Sequence, residues 1–166
     1  DKVNNIVFSE QLEEIMNEKI EFTNKELESI IIEEVGYPIT KEKLLELHSL
    51  SIITKLNNQD LSELKYLPNL YSIFIYDNDV NLEDLKYNQN LYSIYLTACT
   101  ITNSEYLPNT IEYIDINYCH YKGEEFIVPY YTKELSTKST IINNIRLKNP
   151  SRLEKLSLYT AHNHKD

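Results

Sequence analysis

The sequence predicts an α+β repeat fold, in which parallel strands recur behind an N-terminal helical segment. The run LKYLPNLYSIFI at residues 64–75 returns as LKYNQNLYSIYL at residues 85–96, an offset of 21 residues. A third copy, YLPNTIEYIDI, occupies residues 106–116. The first 46 residues show the apolar spacing of helices instead. Together these observations indicate a repeated strand unit with a helical cap.

The repeated copies share one apolar pattern, L-x-x-L-x-L-x-x-N/C-x-apolar, and they start at Leu47, Leu70, Leu91 and Ile111. The fourth and sixth positions are two residues apart, so on a strand both side chains point into the interior. At the ninth position the chain leaves the strand, and a buried Asn or Cys there can bond the freed backbone groups. These ninth residues are Lys55, Asn78, Cys99 and Cys119. The pattern predicts a leucine-rich-repeat solenoid over residues 47–119, with its strands on a concave face.

Residues 1–46 are predicted to form a helical cap over the first repeat, since an open repeat end must be covered. Ser9 is a candidate N-cap for a first helix, whose apolar residues are Leu12, Ile15, Met16 and Ile20. Thr40 is predicted to open a short third helix.

The second helix of this cap has both a start signal and a stop signal. Thr23 and Glu26 have the spacing of a capping box, ahead of an apolar stripe formed by Leu27, Ile30, Ile31 and Val35. Gly36 followed by Pro38 is predicted to end the helix.

Beyond residue 119 the period is hard to follow. LEKLSL at 153–158 fits the strand template again, twice 21 residues after Ile111. Residues 120–150 are predicted to be an irregular coil or an insertion, with 141–147 as an alternative strand. Residues 120–166 are therefore assigned to irregular or degenerate repeats and a C-terminal cap, and His162 to Asp166 to a frayed tail.

The run FTNKELESIIIEEVGYPITKEKLLELHSLSI, followed by DLSELKYLPNL, resembles the N-terminal cap and first repeats of internalin-like bacterial leucine-rich-repeat proteins. The resemblance covers about residues 22–119. An extra acidic helix at 8–20, few repeats and aromatic residues in the strands depart from the family's pattern. The resemblance implies a non-enzymatic recognition protein that is secreted or displayed on the surface of a Gram-positive bacterium.

Aromatic residues are concentrated between the buried strand positions. Phe74 and Tyr95 occupy equivalent positions and are expected to stack about 5 Å apart, with Tyr71 and Tyr92 as a second rung. Such clusters are typical of interface hot spots, although cross-strand pairs also stabilise sheets without binding anything. Binding is favoured, with Phe74, Tyr92 and Tyr95 as anchors. The predicted partner-binding residues are Tyr71, Phe74, Tyr76, Tyr92, Tyr95, Tyr113, Asp115 and Tyr118.

Composition and motifs argue against several other functions. A net charge of −10 repels phosphate backbones and anionic lipid, so neither nucleic acid nor membrane insertion is expected. Only two glycines are present, which argues against phosphate-binding loops. The acidic run at 77–84 misses the calcium-loop template at Leu82 and Asn88. No catalytic motif, metal site or cofactor is predicted, and Cys99 and Cys119 are expected to be buried thiols, with a disulfide as the alternative in an exported protein.

The sequence therefore predicts a non-enzymatic protein that binds a protein or peptide partner through its concave aromatic face. A monomer is favoured, although the sequence leaves the oligomeric state open. A secreted or surface location is favoured. One alternative is a cytoplasmic interaction or immunity protein that sequesters a bacterial toxin or enzyme. Another is a structural fragment of a longer solenoid, with an exposed apolar end near Leu153–Leu158 that aggregates or dimerises.

Overall fold

The computed structural model describes residues 2–159, with side chains described from residue 7 onwards. The three α-helices are α1 (Lys2–Met16), α2 (Lys25–Val35) and α3 (Lys41–Leu45). The strands are β1 (Ser49–Ile52), β2 (Ser72–Tyr76), β3 (Asp79–Asn81), β4 (Ser93–Thr97), β5 (Thr100–Thr102), β6 (Tyr113–Asn117), β7 (His120–Tyr121), β8 (Phe126–Val128), β9 (Glu134–Lys138), β10 (Ile145–Leu147) and β11 (Lys155–Tyr159). Short 3₁₀ helices span Ser62–Tyr66, Leu82–Leu85, Ser104–Tyr106 and Pro150–Arg152. His162 and the rest of the predicted tail lie outside the described residues.

The sheet topology corrects the predicted fold class. Six strands form one sheet in the order β1-β2-β4-β6-β9-β11, and its pairings are all parallel. A smaller sheet, β3-β5-β7, and the pair β10-β8 are parallel as well. Because parallel strands alternate along the chain with short helical connections, the protein is an α/β fold with few helices. The prediction of an α+β leucine-rich-repeat solenoid is wrong, since the sequence period locates strands without specifying how their connections are built.

The register of the large sheet follows the sequence offsets. Ser49 pairs with Ser72, Ser72 with Ser93, and Ser93 with Tyr113. The fourth and sixth repeat positions are at most 2% exposed, which confirms their predicted burial: Leu50, Ile52, Ile73, Ile75, Ile94, Leu96, Ile114 and Ile116. Each such side chain stabilises the fold by about 1.5–3 kcal/mol relative to an exposed position.

Residues 120–150 hold strands, so the prediction of an irregular coil there is wrong, whereas the alternative of a strand within 141–147 is confirmed by β10. The strand β9 pairs with β6 on one side and β11 on the other and continues the large sheet. This strand is hard to recognise in the sequence because two interior repeat positions hold threonine instead of an aliphatic residue. These two residues, Thr132 and Thr137, are 2% and 5% exposed. The Thr132 hydroxyl donates to the Ile111 carbonyl at 2.9 Å, so this buried hydroxyl is not left unpaired. The strand predicted at 153–158 is confirmed by β11, and the segment boundaries at 46 and 119 stay a prediction.

Four strands of the large sheet are each followed directly by a residue with left-handed backbone. Asp77, Ala98, Tyr118 and Ser139 have φ between 48° and 54°, although none is glycine. Each donates its backbone N–H to the last residue of the next strand, as from Tyr118 to the Lys138 carbonyl at 2.7 Å. These hydrogen bonds offset the cost of a conformation that side chains disfavour. The turn also projects Tyr118 out of the sheet, where 58% of it is exposed.

The N-terminal helices differ from prediction at their starts. The predicted N-cap Ser9 lies inside α1, which begins at Lys2. Asn24, rather than Thr23, caps α2, because its side-chain oxygen accepts the Leu27 N–H at 3.1 Å. The helix ends at Val35 with Gly36 as C-cap, as predicted.

The predicted N-cap of α3 is confirmed, since the Thr40 hydroxyl accepts the Lys43 N–H at 3.3 Å. Leu27 and Ile31 of α2 are fully buried and join the same core as Leu50 and Ile52 of β1. Within residues 2–159, no helix is long and apolar enough to cross a membrane.

Candidate functional site

The predicted partner-binding residues lie on, or directly next to, three neighbouring strands of the large sheet. We call the surface formed by these eight residues, Tyr71, Phe74, Tyr76, Tyr92, Tyr95, Tyr113, Asp115 and Tyr118, the aromatic face. Strands β2, β4 and β6 are adjacent, and such strands lie about 4.8 Å apart, so these side chains are close neighbours. Tyr71, Tyr76, Tyr95 and Tyr118 are 39–58% exposed, and the other four are partly buried.

Ring contacts on this face run across the strands. Tyr71 and Tyr92 are stacked, with centroids 4.6 Å apart and an interplanar angle of 13°. Tyr92 then meets Tyr113 edge to face, with centroids 5.0 Å apart. The predicted Tyr71–Tyr92 rung is therefore confirmed, and it extends to a third ring. We call Tyr71, Tyr92 and Tyr113 the tyrosine ladder.

The second predicted rung, between Phe74 and Tyr95, is wrong. These residues are Cα partners in the register of β2 and β4. Among the described rings, however, no stacked or edge-to-face contact joins them. Strand pairing fixes their backbone spacing, whereas the side-chain torsions decide where each ring points.

The tyrosine ladder ends in a charged cluster formed by Glu112, Lys133 and Arg152. Glu112 Oε1 accepts from Lys133 Nζ at 3.0 Å and from an Arg152 guanidinium nitrogen at 3.3 Å. The Lys133 ammonium holds the pKa of Glu112 below its ordinary value. Such partly exposed ion pairs contribute about 0–1 kcal/mol each, so they position side chains more than they stabilise the fold.

Lys133 and Arg152 were not predicted as site residues. Lys133 lies one repeat after Glu112 and one residue before β9, whose interior threonines hide the period. An alignment that placed β9 correctly would have found Lys133. Arg152 lies in a 3₁₀ helix before β11, and no sequence signal marks it.

The comparisons with known proteins identify no relative. No protein-family model matches this chain, and no curated protein is significantly similar to it. The function of the aromatic face is therefore inferred from its own geometry.

The neighbours of Tyr92 in the ladder shift its pKa. The neighbouring Tyr113 hydroxyl, together with desolvation, raises the pKa of Tyr92 above the ordinary tyrosine value. Because the folded-state pKa is the higher one, this contribution to stability is fully present below about pH 10, the unfolded tyrosine pKa. It is lost as pH rises through the folded-state pKa.

We expect Tyr113→Phe to lower the pKa of Tyr92, because it removes the neighbouring hydroxyl that raises this pKa. Titration of ¹³C-labelled tyrosine rings by NMR would measure the change. Tyr87→Phe is the matched control, since Tyr87 is 64% exposed on a connection outside the sheet. An unchanged Tyr92 pKa in Tyr113→Phe would contradict the ladder as described.

The two cysteines are buried and play a structural part. Cys99 and Cys119 are each 3% exposed, so their predicted burial is confirmed. The Cys99 backbone N–H donates to Cys119 Sγ at 3.3 Å. Cys119 Sγ in turn contacts the Leu96 and Asn117 carbonyls. The contact with Cys99 and burial raise the pKa of the Cys119 thiol, which therefore stays protonated at neutral pH.

Side chains of the acidic run at 77–84 accept hydrogen bonds from backbone groups within the fold. Asp84 Oδ2 accepts the Leu61 N–H at 2.9 Å, and burial raises the pKa of this carboxyl. Asn81 caps the following 3₁₀ helix by accepting the Glu83 N–H at 3.0 Å. Over the described part of the chain, no group of three or more His, Cys, Asp or Glu side chains is placed to hold a metal ion.

Proposed function

We propose that this protein binds a protein or peptide partner through the aromatic face and catalyses no reaction itself. The observation that carries the proposal is the continuous tyrosine surface across β2, β4 and β6. In it the stacked Tyr71–Tyr92 pair lies beside the exposed rings of Tyr76, Tyr95 and Tyr118.

Tyrosine suits such a surface for energetic reasons. Its side chain offers a large area with only two rotatable bonds, so little conformational entropy is lost when a partner covers it. Tyr92 is held by stacking against Tyr71 and by edge-to-face contact with Tyr113 before any partner arrives. Rings held in advance in this way reduce the ordering cost of association.

The surroundings of the ladder favour a protein partner over other ligands. The charged groups of Glu112, Lys133 and Arg152 lie beside the rings, as the polar rim of a protein interface lies beside its apolar centre. A net charge of −10 opposes nucleic acid and anionic membrane surfaces.

For the location we propose export or surface display, supported by the resemblance of residues 22–119 to internalin-like bacterial proteins. The second candidate is a cytoplasmic protein that sequesters a bacterial toxin or enzyme. The specific observation that favours it is the pair of buried free thiols, Cys99 and Cys119, since free cysteines suit a reducing compartment.

The direct test is affinity capture with the wild-type chain and a Tyr71→Ala/Tyr95→Ala variant, offered to extracts of the source cells and of candidate host cells. The matched control is Tyr87→Ala/Tyr106→Ala, because these tyrosines are 64% and 40% exposed on connections outside the large sheet. We expect the aromatic-face variant to bind the captured protein at least about tenfold more weakly per hot-spot residue removed. The control should bind like wild type.

Two results would contradict this proposal. One is equal retention of the same proteins by wild type and by the aromatic-face variant. The other is an equal loss of binding in the control, which would indicate nonspecific adhesion of exposed tyrosines. The extract that yields the partner separates the two proposed locations.

A further inference from the structure

The last strand of the large sheet leaves its interior side chains open. Leu156 and Leu158 of β11 are each 48% exposed, whereas their register partners on β9, Leu135 and Thr137, are 1% and 5% exposed. Among the described strands, β11 pairs only with β9. Over residues 2–159, this end of the sheet therefore combines an unpaired strand edge with two exposed leucines.

The backbone groups of β11 show which residues face the free edge. The Lys155 N–H donates to the Lys133 carbonyl at 3.1 Å, and the Tyr159 carbonyl accepts from Ser139 at 2.8 Å, so both residues face the body of the sheet. Successive residues of a strand alternate in the direction of their N–H and C=O groups. Leu156 and Leu158 therefore direct theirs towards the free edge, where unpaired groups form a template for another strand.

The opposite edge of the sheet is built differently. On β1 the interior residues Leu50 and Ile52 are 2% and 0% exposed. They belong to one core with Leu27 and Ile31 of α2, which is thus part of the cover at that end. In the described part of the chain, interior strand positions of the large sheet are open at the β11 end and closed at the β1 end.

We propose that a second copy of this chain pairs its β11 antiparallel to the first, about a two-fold axis at Ser157. In this register Leu156 exchanges both backbone hydrogen bonds with Leu158 of the second copy, and Leu158 does the same with Leu156 of that copy. All four outward backbone groups of each strand are then paired. A two-fold contact of this kind is closed, so association stops at a dimer.

The side chains of β11 match one another in the same register. Leu156 and Leu158 of the two copies meet on the interior side and cover each other. On the other side of the sheet, Lys155 faces the Tyr159 ring of the second copy in a cation–π arrangement. Ser157 faces Ser157 of the second copy. A shift of one residue would place leucines on the outer side of the neighbouring strand. A shift of two towards the N-terminus, with the axis at Leu156, would bring in Glu154, whose N–H already bonds the Lys133 carbonyl.

The first test is the mass of the full chain in solution, measured by sedimentation equilibrium from low micromolar concentration upwards. We expect wild type to approach twice the 19.6 kDa of one chain as concentration rises. Leu156→Lys/Leu158→Lys should stay monomeric, since an inward charge blocks edge pairing. The matched control is Leu12→Lys/Ile15→Lys, which replaces apolar residues of α1 that are 46% and 51% exposed. This control should dimerise like wild type.

The proposal is overturned if wild type remains monomeric, if assembly grows past the dimer, or if the Leu156→Lys/Leu158→Lys variant still dimerises. Loss of dimer in the α1 control would place the contact on α1 and would overturn it equally. Circular dichroism of each variant establishes that a monomer is folded. The aromatic face takes no part in this contact, so the partner-capture result and this one are independent.

A second test reads the register directly. Ser157→Cys places a thiol next to the two-fold axis, opposite the same thiol of the second copy. The spacing of the two residues suits a disulfide. The control is Ser51→Cys, because Ser51 occupies the same register row on β1, at the opposite edge of the sheet. Under mild oxidation we expect a covalent dimer on a non-reducing gel from Ser157→Cys alone. No cross-link, or an equal cross-link from Ser51→Cys, would overturn the proposed pairing.

Discussion

Replacing Asn78 with alanine is expected to lower the free energy of unfolding by about 2–4 kcal/mol. Asn78 is 3% exposed and satisfies three backbone groups at once. Its Oδ1 accepts the Leu56 N–H at 2.9 Å, and its Nδ2 donates to the Thr54 and Tyr76 carbonyls at 2.9 and 2.8 Å. Alanine would leave these groups without partners beside the turn that follows β2. Each buried unpaired group costs about 1–3 kcal/mol.

Urea unfolding followed by circular dichroism measures this loss. Asn117→Ala is the control, because Asn117 is only partly buried and, among the described contacts, its side chain makes no hydrogen bond. That variant should stay within about 0.5 kcal/mol of wild type. Asn78→Cys should fall between wild type and Asn78→Ala, since Cys99 and Cys119 do the same work at equivalent positions with weaker sulfur contacts. Equal stability of Asn78→Ala and wild type would show that this position carries no structural requirement.

Asn24→Ala is expected to destabilise the protein by about 2–3 kcal/mol, because one side chain both caps α2 and bonds it to the connection that follows β1. Its Oδ1 accepts the Leu27 N–H at 3.1 Å. Its Nδ2 donates to the Asn58 and Asp60 carbonyls at 3.2 and 2.7 Å. Asn24 is 2% exposed, so water does not readily replace these bonds.

Thr23→Ala separates this cap from the one that the sequence predicts. The structure uses the backbone N–H of Thr23, which donates to a Glu63 carboxylate oxygen at 2.8 Å, and not its exposed hydroxyl. Thermal unfolding of the two variants should therefore show a large loss for Asn24→Ala and a small one for Thr23→Ala. The reverse order would restore Thr23 as the helix cap.

The candidate site could be predicted only in part from the sequence. Repeat alignment places Tyr71 beside Tyr92, and the stacked rings confirm it. The same reasoning fails for Phe74 and Tyr95, because ring directions depend on side-chain torsions that a register does not specify. The ion pair between Glu112 and Lys133 also depends on β9, which the sequence pattern does not show.

The sequence by itself determined where most strands of the large sheet begin and which side chains they bury. Alternation of apolar residues is a local property of a strand, and an offset of 20–23 residues between paired positions brings equivalent residues side by side. Gly36 likewise ends α2 through a local backbone requirement. These features need no knowledge of the rest of the molecule.

Only the tertiary structure decided the α/β class, the continuation of the sheet through β9 and the left-handed turns at Ala98 and Tyr118. The physical reason is that each depends on a partner about 20 residues away. Ala98 keeps a positive φ because its N–H reaches the Asn117 carbonyl, and Thr132 stays buried because its hydroxyl reaches the Ile111 carbonyl. Neither residue carries a local sequence signal. The backbone conformation of Ala98 and the burial of Thr132 therefore follow only from the tertiary structure around them.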